Sequence, residues 1–308
     1  MVRTGRQPQF PAAHAGHSPA NRPDISGRFH PTQNNQHAVH QSSAIFALPS
    51  KKSYTDGMIP ETGAPGQSLR FLILGGSGGI GRAVANAVAS RDCHLIVHGR
   101  DQAKLDAVCD QLRQQDGSRA TLTSLCLDLD DTSLLPLLLP QVEACDCLAI
   151  CRGSFVHKRL AQTSPADWQS TVYSNLTLPG ILAAAAAAAM AGRGFGRILL
   201  FGGTRTDAIR GYRHNAAYAA AKTGLAVVVK SIAAEYASHG VSACLICPGF
   251  VDTEYLPADL RQRLIALSPR QRLIPPPRIA RLALTLLDGL MDTANGAVIN
   301  ADEGLYSI

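Results

Sequence analysis

Residues 70–81 read Arg70-Phe71-Leu72-Ile73-Leu74-Gly75-Gly76-Ser77-Gly78-Gly79-Ile80-Gly81, and the fold is decided there. A short apolar run breaks into glycines, and the residues that follow, to about Arg91, have helical spacing. The run reads as a buried strand and the glycines as a tight turn into a helix. Glycine permits positive φ and lets the backbone approach a bound group closely. The first N–H groups of a helix are unpaired and its dipole is positive at that end, so this turn is suited to hold phosphate. A glycine string alone is a weak signal. Placed between a strand and a helix it becomes a good dinucleotide-binding signal, to which Ser77 can add a hydroxyl.

Beyond the turn the alternation repeats. Residues 94–98, 122–127, 147–151, 197–201, 241–247 and 297–300 are short apolar runs separated by longer helical stretches. Such an order requires a parallel sheet covered on both faces and joined by right-handed crossovers. The expected fold class is therefore α/β: a doubly wound parallel sheet, a Rossmann-type three-layer α/β/α single domain spanning residues 68–308. Residues 1–67 differ. They are rich in Gln, Asn, His, Pro, Ser and Gly without a sustained period, and are expected to be a disordered polar leader; Met58 offers an alternative start. Five of the ten histidines lie there without metal-ligand spacing.

With 46% hydrophobic and 17% charged residues, the composition is that of an ordinary globular chain. The net charge is +6, half of it in residues 1–67, and the Lys and Arg are not interleaved with aromatics. A nucleic-acid partner is not expected. The longest uncharged small-residue run, residues 181–191, falls short of the ~18 residues of a membrane span and reads as an Ala-rich helix. No membrane association is expected. The eight cysteines do not form a disulfide framework. Seven of them, Cys93, Cys126, Cys145, Cys147, Cys151, Cys244 and Cys247, lie in or beside apolar strands, where free thiols pack as small hydrophobes. Cys244 and Cys247 have CxxC spacing, but within a strand i and i+3 face opposite ways. No metal site is expected, and reduced thiols fit a cytoplasmic protein.

Two further segments carry chemistry. The second strand ends His98-Gly99-Arg100. NAD sites usually place Asp or Glu there to accept from the ribose 2′-OH, whereas here a glycine leaves space and Arg100 suits a 2′-phosphate. NADP(H) is favoured, with NAD as the alternative. Tyr218-Ala219-Ala220-Ala221-Lys222 puts a phenol and an ammonium on one helical face. A neighbouring cation favours phenolate and would bring the Tyr218 pKa towards neutrality, making it a general acid/base.

Together, the glycine turn, Asp128, Asn175, Tyr218 with Lys222, and Pro248-Gly249 with Thr253 stand in the order and spacing of the short-chain dehydrogenase/reductases. From residue 69 onward the chain resembles that family, and in style bacterial 3-oxoacyl-(acyl-carrier-protein) reductases. The resemblance implies an oxidoreductase that reduces a small-molecule carbonyl, a ketone such as a 3-oxoacyl group, with Tyr218 as general acid. It implies that Gly75, Ser77, Gly79, Ile80 and Gly81 cradle the cofactor's phosphates, with Arg100 at the 2′-phosphate and Asp128 at the adenine edge. Tyr218 and Lys222 would hold the nicotinamide ribose, and Pro248, Gly249 and Thr253 would flank the nicotinamide. Asn175 would support a water-linked proton relay to Lys222. Residues 300–304 resemble the family's closing strand, which implies a homodimer or homotetramer.

Three departures stand out. The family's Asn-Ala-Gly after the fourth strand is Cys151-Arg152-Gly153 here. Its catalytic Ser should fall at Gly203, so Thr204 is expected to supply the hydroxyl through a loop shifted by one. The same loop carries Arg205, Arg210, Arg213 and His214, a basic lip suited either to an anionic substrate or simply to water. Two other readings stay open. Phe155 stands where pteridine reductases of this family place a stacking aromatic. The missing Ser also fits a cofactor-binding sensor or assembly protein with weakened chemistry.

Overall fold

The computed structural model describes residues 68–305, all within one compact unit, Asp56–Ile308. The expected leader, residues 1–67, lies outside the described residues. Strands β1 (Leu69–Leu74), β2 (Cys93–Gly99), β3 (Thr121–Cys126), β4 (Cys147–Ile150), β5 (Gly196–Phe201), β6 (Val241–Pro248) and β7 (Val298–Ala301) form one sheet ordered β3-β2-β1-β4-β5-β6-β7. Every pairing is parallel. Between the strands run α1 (Gly79–Val88), α2 (Gln102–Gln114), α3 (Leu135–Ala144), α4 (Pro165–Val172), α5 (Leu178–Arg193), α6 (Ala216–Tyr236), α7 (Ala258–Leu267) and α8 (Pro276–Thr285). This is the doubly wound three-layer α/β/α sheet that the alternation from residue 70 demands.

The period of two in β1 builds both cores. Phe71 and Ile73 pack with Val84 of α1, Leu105 of α2 and Ala283 of α8. Leu72 and Leu74 point the other way and pack with Leu138 of α3, Leu182 of α5 and Val229 of α6. Cys244 and Cys247 separate onto these same opposite faces, and all eight cysteines are free.

The Ala-rich run becomes α5, which buries Leu182, Ala183, Ala186, Ala187 and Met190. Small side chains let this helix lie close on the sheet, and Gly194 stops it in the left-handed conformation (φ 76°). The full helical run, Pro165–Arg193, is longer than residues 181–191 suggest because a π turn at Tyr173–Thr177 joins α4 to α5. It and Ala216–His239, with mean hydropathies of 1.4 and 1.2, are long and apolar enough to cross a membrane by composition. Their buried Leu178, Leu182, Met190, Leu225, Val229 and Ile232 belong to the core against the sheet, as expected of core helices.

The order in which strands are added reverses between β1 and β4, which opens a crevice at the carboxyl ends of these parallel strands. His98 fixes its floor. Its Nδ1 accepts from the Gly75 N–H (3.2 Å), so Nε2 carries the proton and donates to the Leu127 carbonyl (2.9 Å). The imidazole is 3% exposed, and burial pushes its pKa down to about 4. The ring is therefore neutral while it ties the glycine turn to the loop after β3.

This predicts a specific acid sensitivity. Below pH 6.5 the unfolded chain protonates His98 before the folded one does, so stability falls as pH drops from about 6.5 to about 4, by about 3 kcal/mol in all. Urea unfolding across that range should show the loss in wild type and lack His98's share of it in His98→Leu. At pH 7 the variant is expected to be less stable by about 1–3 kcal/mol, because the Gly75 N–H and Leu127 C=O lose their partner.

Candidate active site

The crevice holds a cleft of about 260 Å³ into which Asn175, Gly203, Tyr218, Lys222, Gly249 and Thr253 all face. A larger and more open hollow of about 730 Å³ runs along β7 and α8 by Arg278 and Glu303, and holds none of the expected site residues. The cleft therefore gathers residues from four separate segments that the family resemblance had grouped.

Tyr218 and Lys222 sit one turn apart on α6. The Lys222 ammonium is 4% exposed and donates to the carbonyls of Phe201 (2.9 Å) and Arg152 (3.3 Å). Burial pushes its pKa down to about 8. Burial likewise pushes the Tyr218 phenol up to about 12. The expectation that Lys222 draws the phenol towards neutrality is thus corrected. Desolvation dominates at the phenol, and the ammonium's donors go to backbone carbonyls instead. A phenol that keeps its proton at neutral pH is a proton donor.

Asn175 lies in the π turn, the wide turn that lets its amide point inward. Its Nδ2 donates to the carbonyls of Ser154 (2.8 Å) and Thr171 (3.0 Å), and also lies 3.1 Å from the Ser174 hydroxyl. Its Oδ1 is buried without a partner. That oxygen and the Lys222 Nζ both crowd the Cα side of Gly153, where a side chain would strike them. An orphaned acceptor beside a buried ammonium is a seat for water or for a ligand hydroxyl.

A Cβ on Gly203 would lie 2.7 Å from the Tyr218 phenol oxygen, so the phenol stands where a side chain at 203 would be. Thr204 lines the cleft, and its hydroxyl donates to the Gly249 carbonyl (3.3 Å). Thr206, which sequence reasoning passed over, is fully buried. It accepts the Gly203 N–H (2.8 Å) and donates back to the Gly203 carbonyl (3.0 Å), bracing the turn from behind. The lip is internally braced too, with Arg210 paired to Asp207 (2.7 Å) and Tyr212 donating to the Arg205 carbonyl (2.7 Å). Phe155 meets Tyr218 edge-on, with ring centroids 5.1 Å apart.

At the other end of the crevice, Gly75 adopts φ 79°, and a Cβ on Gly81 would strike its carbonyl oxygen. Only glycine at both places lets α1 begin this close to β1. Gly99 leaves room for the Ser77 hydroxyl. Arg100 and Asp128 are exposed at the adjoining strand ends. Arg152 turns to Asp130 (2.7 Å), with its Nη1 buried and unpartnered, while Arg100 approaches Asp130 at 4.0 Å. The glycine turn, the small residue at 99 and the orphaned polar atoms suit a dinucleotide. Two residues missed in the sequence, Glu254 and Tyr255, lie against the turn itself, and the Gly79 N–H donates to the Glu254 carboxylate (3.1 and 3.2 Å).

Comparison with known proteins follows this geometry. A model of the short chain dehydrogenase family matches residues 70–263. The chain is 28% identical over 244 residues to the 3-oxoacyl-(acyl-carrier-protein) reductase FabG of Escherichia coli, an alignment covering 77% of this chain and 97% of that protein. It is 28% identical over 241 residues to an acetoacetyl-CoA reductase of Allochromatium vinosum, covering 76% and 97%. The crystal structure of an oxidoreductase of the short chain dehydrogenase/reductase family from Burkholderia thailandensis superposes with a TM-score of 0.68. It is 30% identical and covers 79% of this chain and 94% of its own.

The buried ammonium predicts a conflict between stability and function. The folded state holds Lys222 charged at a cost, so stability should rise as pH increases from about 8 towards 10.5, where the folded but not the unfolded chain has lost the proton. Lys222→Met is expected to gain about 1–3 kcal/mol at pH 7 in urea unfolding and to flatten that rise.

Proposed function

We propose that this chain, which belongs to the short-chain dehydrogenase family, works as a soluble, cytoplasmic NADP(H)-dependent reductase of a small-molecule carbonyl. The reading rests above all on one observation: a phenol, a buried ammonium and an orphaned amide oxygen converge on a single cleft at the switch point of the sheet. The names of the two relatives, both reductases of 3-oxo thioesters, support a 3-oxoacyl ketone as the substrate class. Arg100, and the absence of an acid at the end of β2, support NADP(H) over NAD(H).

The reduced nicotinamide, when bound, supplies the hydride. In this reading Gly75, Ser77, Gly79, Ile80 and Gly81 hold its phosphates and Arg100 its 2′-phosphate. Asp128 lies at the adenine. Tyr218 and Lys222 hold the nicotinamide ribose, while Pro248, Gly249 and Thr253 wall the nicotinamide end. Tyr218 gives its proton to the carbonyl oxygen as negative charge develops there. Lys222 offers a proton back to Tyr218, and Asn175 holds the linking water on its free Oδ1. Gly203 brings no hydroxyl to the carbonyl, and Thr204, which lines the cleft, supplies one in its place. The enzyme acts as a homodimer or homotetramer, with no nucleic-acid or membrane partner.

A second reading has its own support. Phe155 stands 59% exposed and edge-on to Tyr218, placed to stack on a planar ring such as a pterin. A panel of 3-oxoacyl thioesters, diketones, quinones and pterins separates the two, and NADPH binding without turnover on any of them would instead mark a sensor.

Tyr218→Phe is expected to lower NADPH turnover by roughly 10²–10⁴-fold while NADPH affinity, read by fluorescence titration, stays within a few-fold. Retained turnover would remove Tyr218 from the mechanism. Arg100→Ala is expected to weaken NADPH about tenfold or more and to leave NADH unchanged. An equal loss for both would show that the guanidinium does not read the 2′-phosphate.

A further inference from the structure

The segment that follows Thr253 folds back over the glycine turn. Gly79 is the first residue of α1, a helix of 10 residues with no acid in its first turn and no side-chain cap. Its orphan N–H is met instead by Glu254, 175 positions away, through both carboxylate oxygens. Two cations flank that carboxylate, Lys104 at 3.7 Å and Arg82 at 3.8 Å. Tyr255 covers what remains. Its hydroxyl accepts from the Lys104 ammonium (3.2 Å), and its ring would be struck by any side chain at Gly78.

A helix N-terminus, glycines without side chains and two nearby cations form an anion seat. On the proposed reading this seat belongs to the pyrophosphate, and here a carboxylate of the chain itself fills it. Two anions cannot accept from the same N–H without strong repulsion. We propose that Glu254 is an internal stand-in for the pyrophosphate, and that residues 253–256 form a latch which NADP(H) must lift to enter.

The rest of the segment is built to move. The Glu254 and Tyr255 side chains are exposed enough, 34% and 63%, that releasing them uncovers little apolar surface. Helix α7, next in the chain, contributes no buried residue to either core. Arg261 on α7 pairs with Asp252 and donates to the Thr253 carbonyl (3.2 Å), so latch and helix travel as one piece. Once freed, Arg82 and Lys104 can turn to the incoming phosphates. The cations that hold the latch shut thus also favour the ligand that opens it.

This inference rests on the nicotinamide reading, and the test separates the two. Glu254→Gln keeps the side-chain shape and removes the charge. In stopped-flow and equilibrium fluorescence titrations of the full chain, it is expected to bind NADPH about tenfold more tightly, mainly through faster association. NADH should gain equally, since the pyrophosphate is common to both, and Tyr255→Ala should shift both in the same direction. Unchanged or weaker binding in Glu254→Gln, with wild type binding measurably, overturns the latch and leaves the nicotinamide reading intact. If neither wild type nor either variant binds NADPH or NADH, both fall together.

Discussion

A parallel sheet closed on both faces with hydrocarbon leaves polar chemistry only one place to go, the edge where the strands end. Here that constraint is severe, because β4, β5 and β6 are buried along their whole length. Backbone groups at their carboxyl ends have lost strand partners but are still shielded from water. Lys222 binds two of them, the carbonyls of Phe201 and Arg152, and so becomes part of the sheet's termination as well as of the cleft. The reversal between β1 and β4 makes the crevice, and the hydrocarbon layers set the electrostatics inside it.

Those electrostatics run opposite for the two groups on α6. Burial penalises whichever form is charged, so it pulls the lysine down and drives the tyrosine up. The phenol is therefore held as the acid, and the ammonium lies closer to neutrality than a surface lysine would.

The fold was legible from residues 70–81 and the alternation after them, because a period of two in strands and glycines at a strand–helix turn are local consequences of backbone geometry. Asn175, Tyr218, Lys222, Pro248, Gly249 and Thr253 could be named because their spacing resembles a known family, and all six have a place around the crevice. What could not be read depended on three-dimensional surroundings. Nothing in the sequence tells that His98 lies under Gly75, that the Thr204 hydroxyl turns to Gly249, or that desolvation raises the Tyr218 phenol. Glu254 stood next to an identified residue, yet its role depends on a contact spanning most of the domain. The π turn around Asn175 likewise has no sequence period of its own.

The thiols give the molecule a property unrelated to its chemistry. Cys145 and Cys147 are enclosed at the middle of the sheet, Cys93, Cys244 and Cys247 are buried near them, and burial raises the pKa of each. A protonated, enclosed thiol is a poor nucleophile, so the native protein should ignore alkylating reagents and mild oxidants at these positions. Any of them that reacts has first been uncovered by a local opening of the sheet or its helices. The cysteines therefore act as clocks distributed through the core, each timing how often its own neighbourhood comes apart.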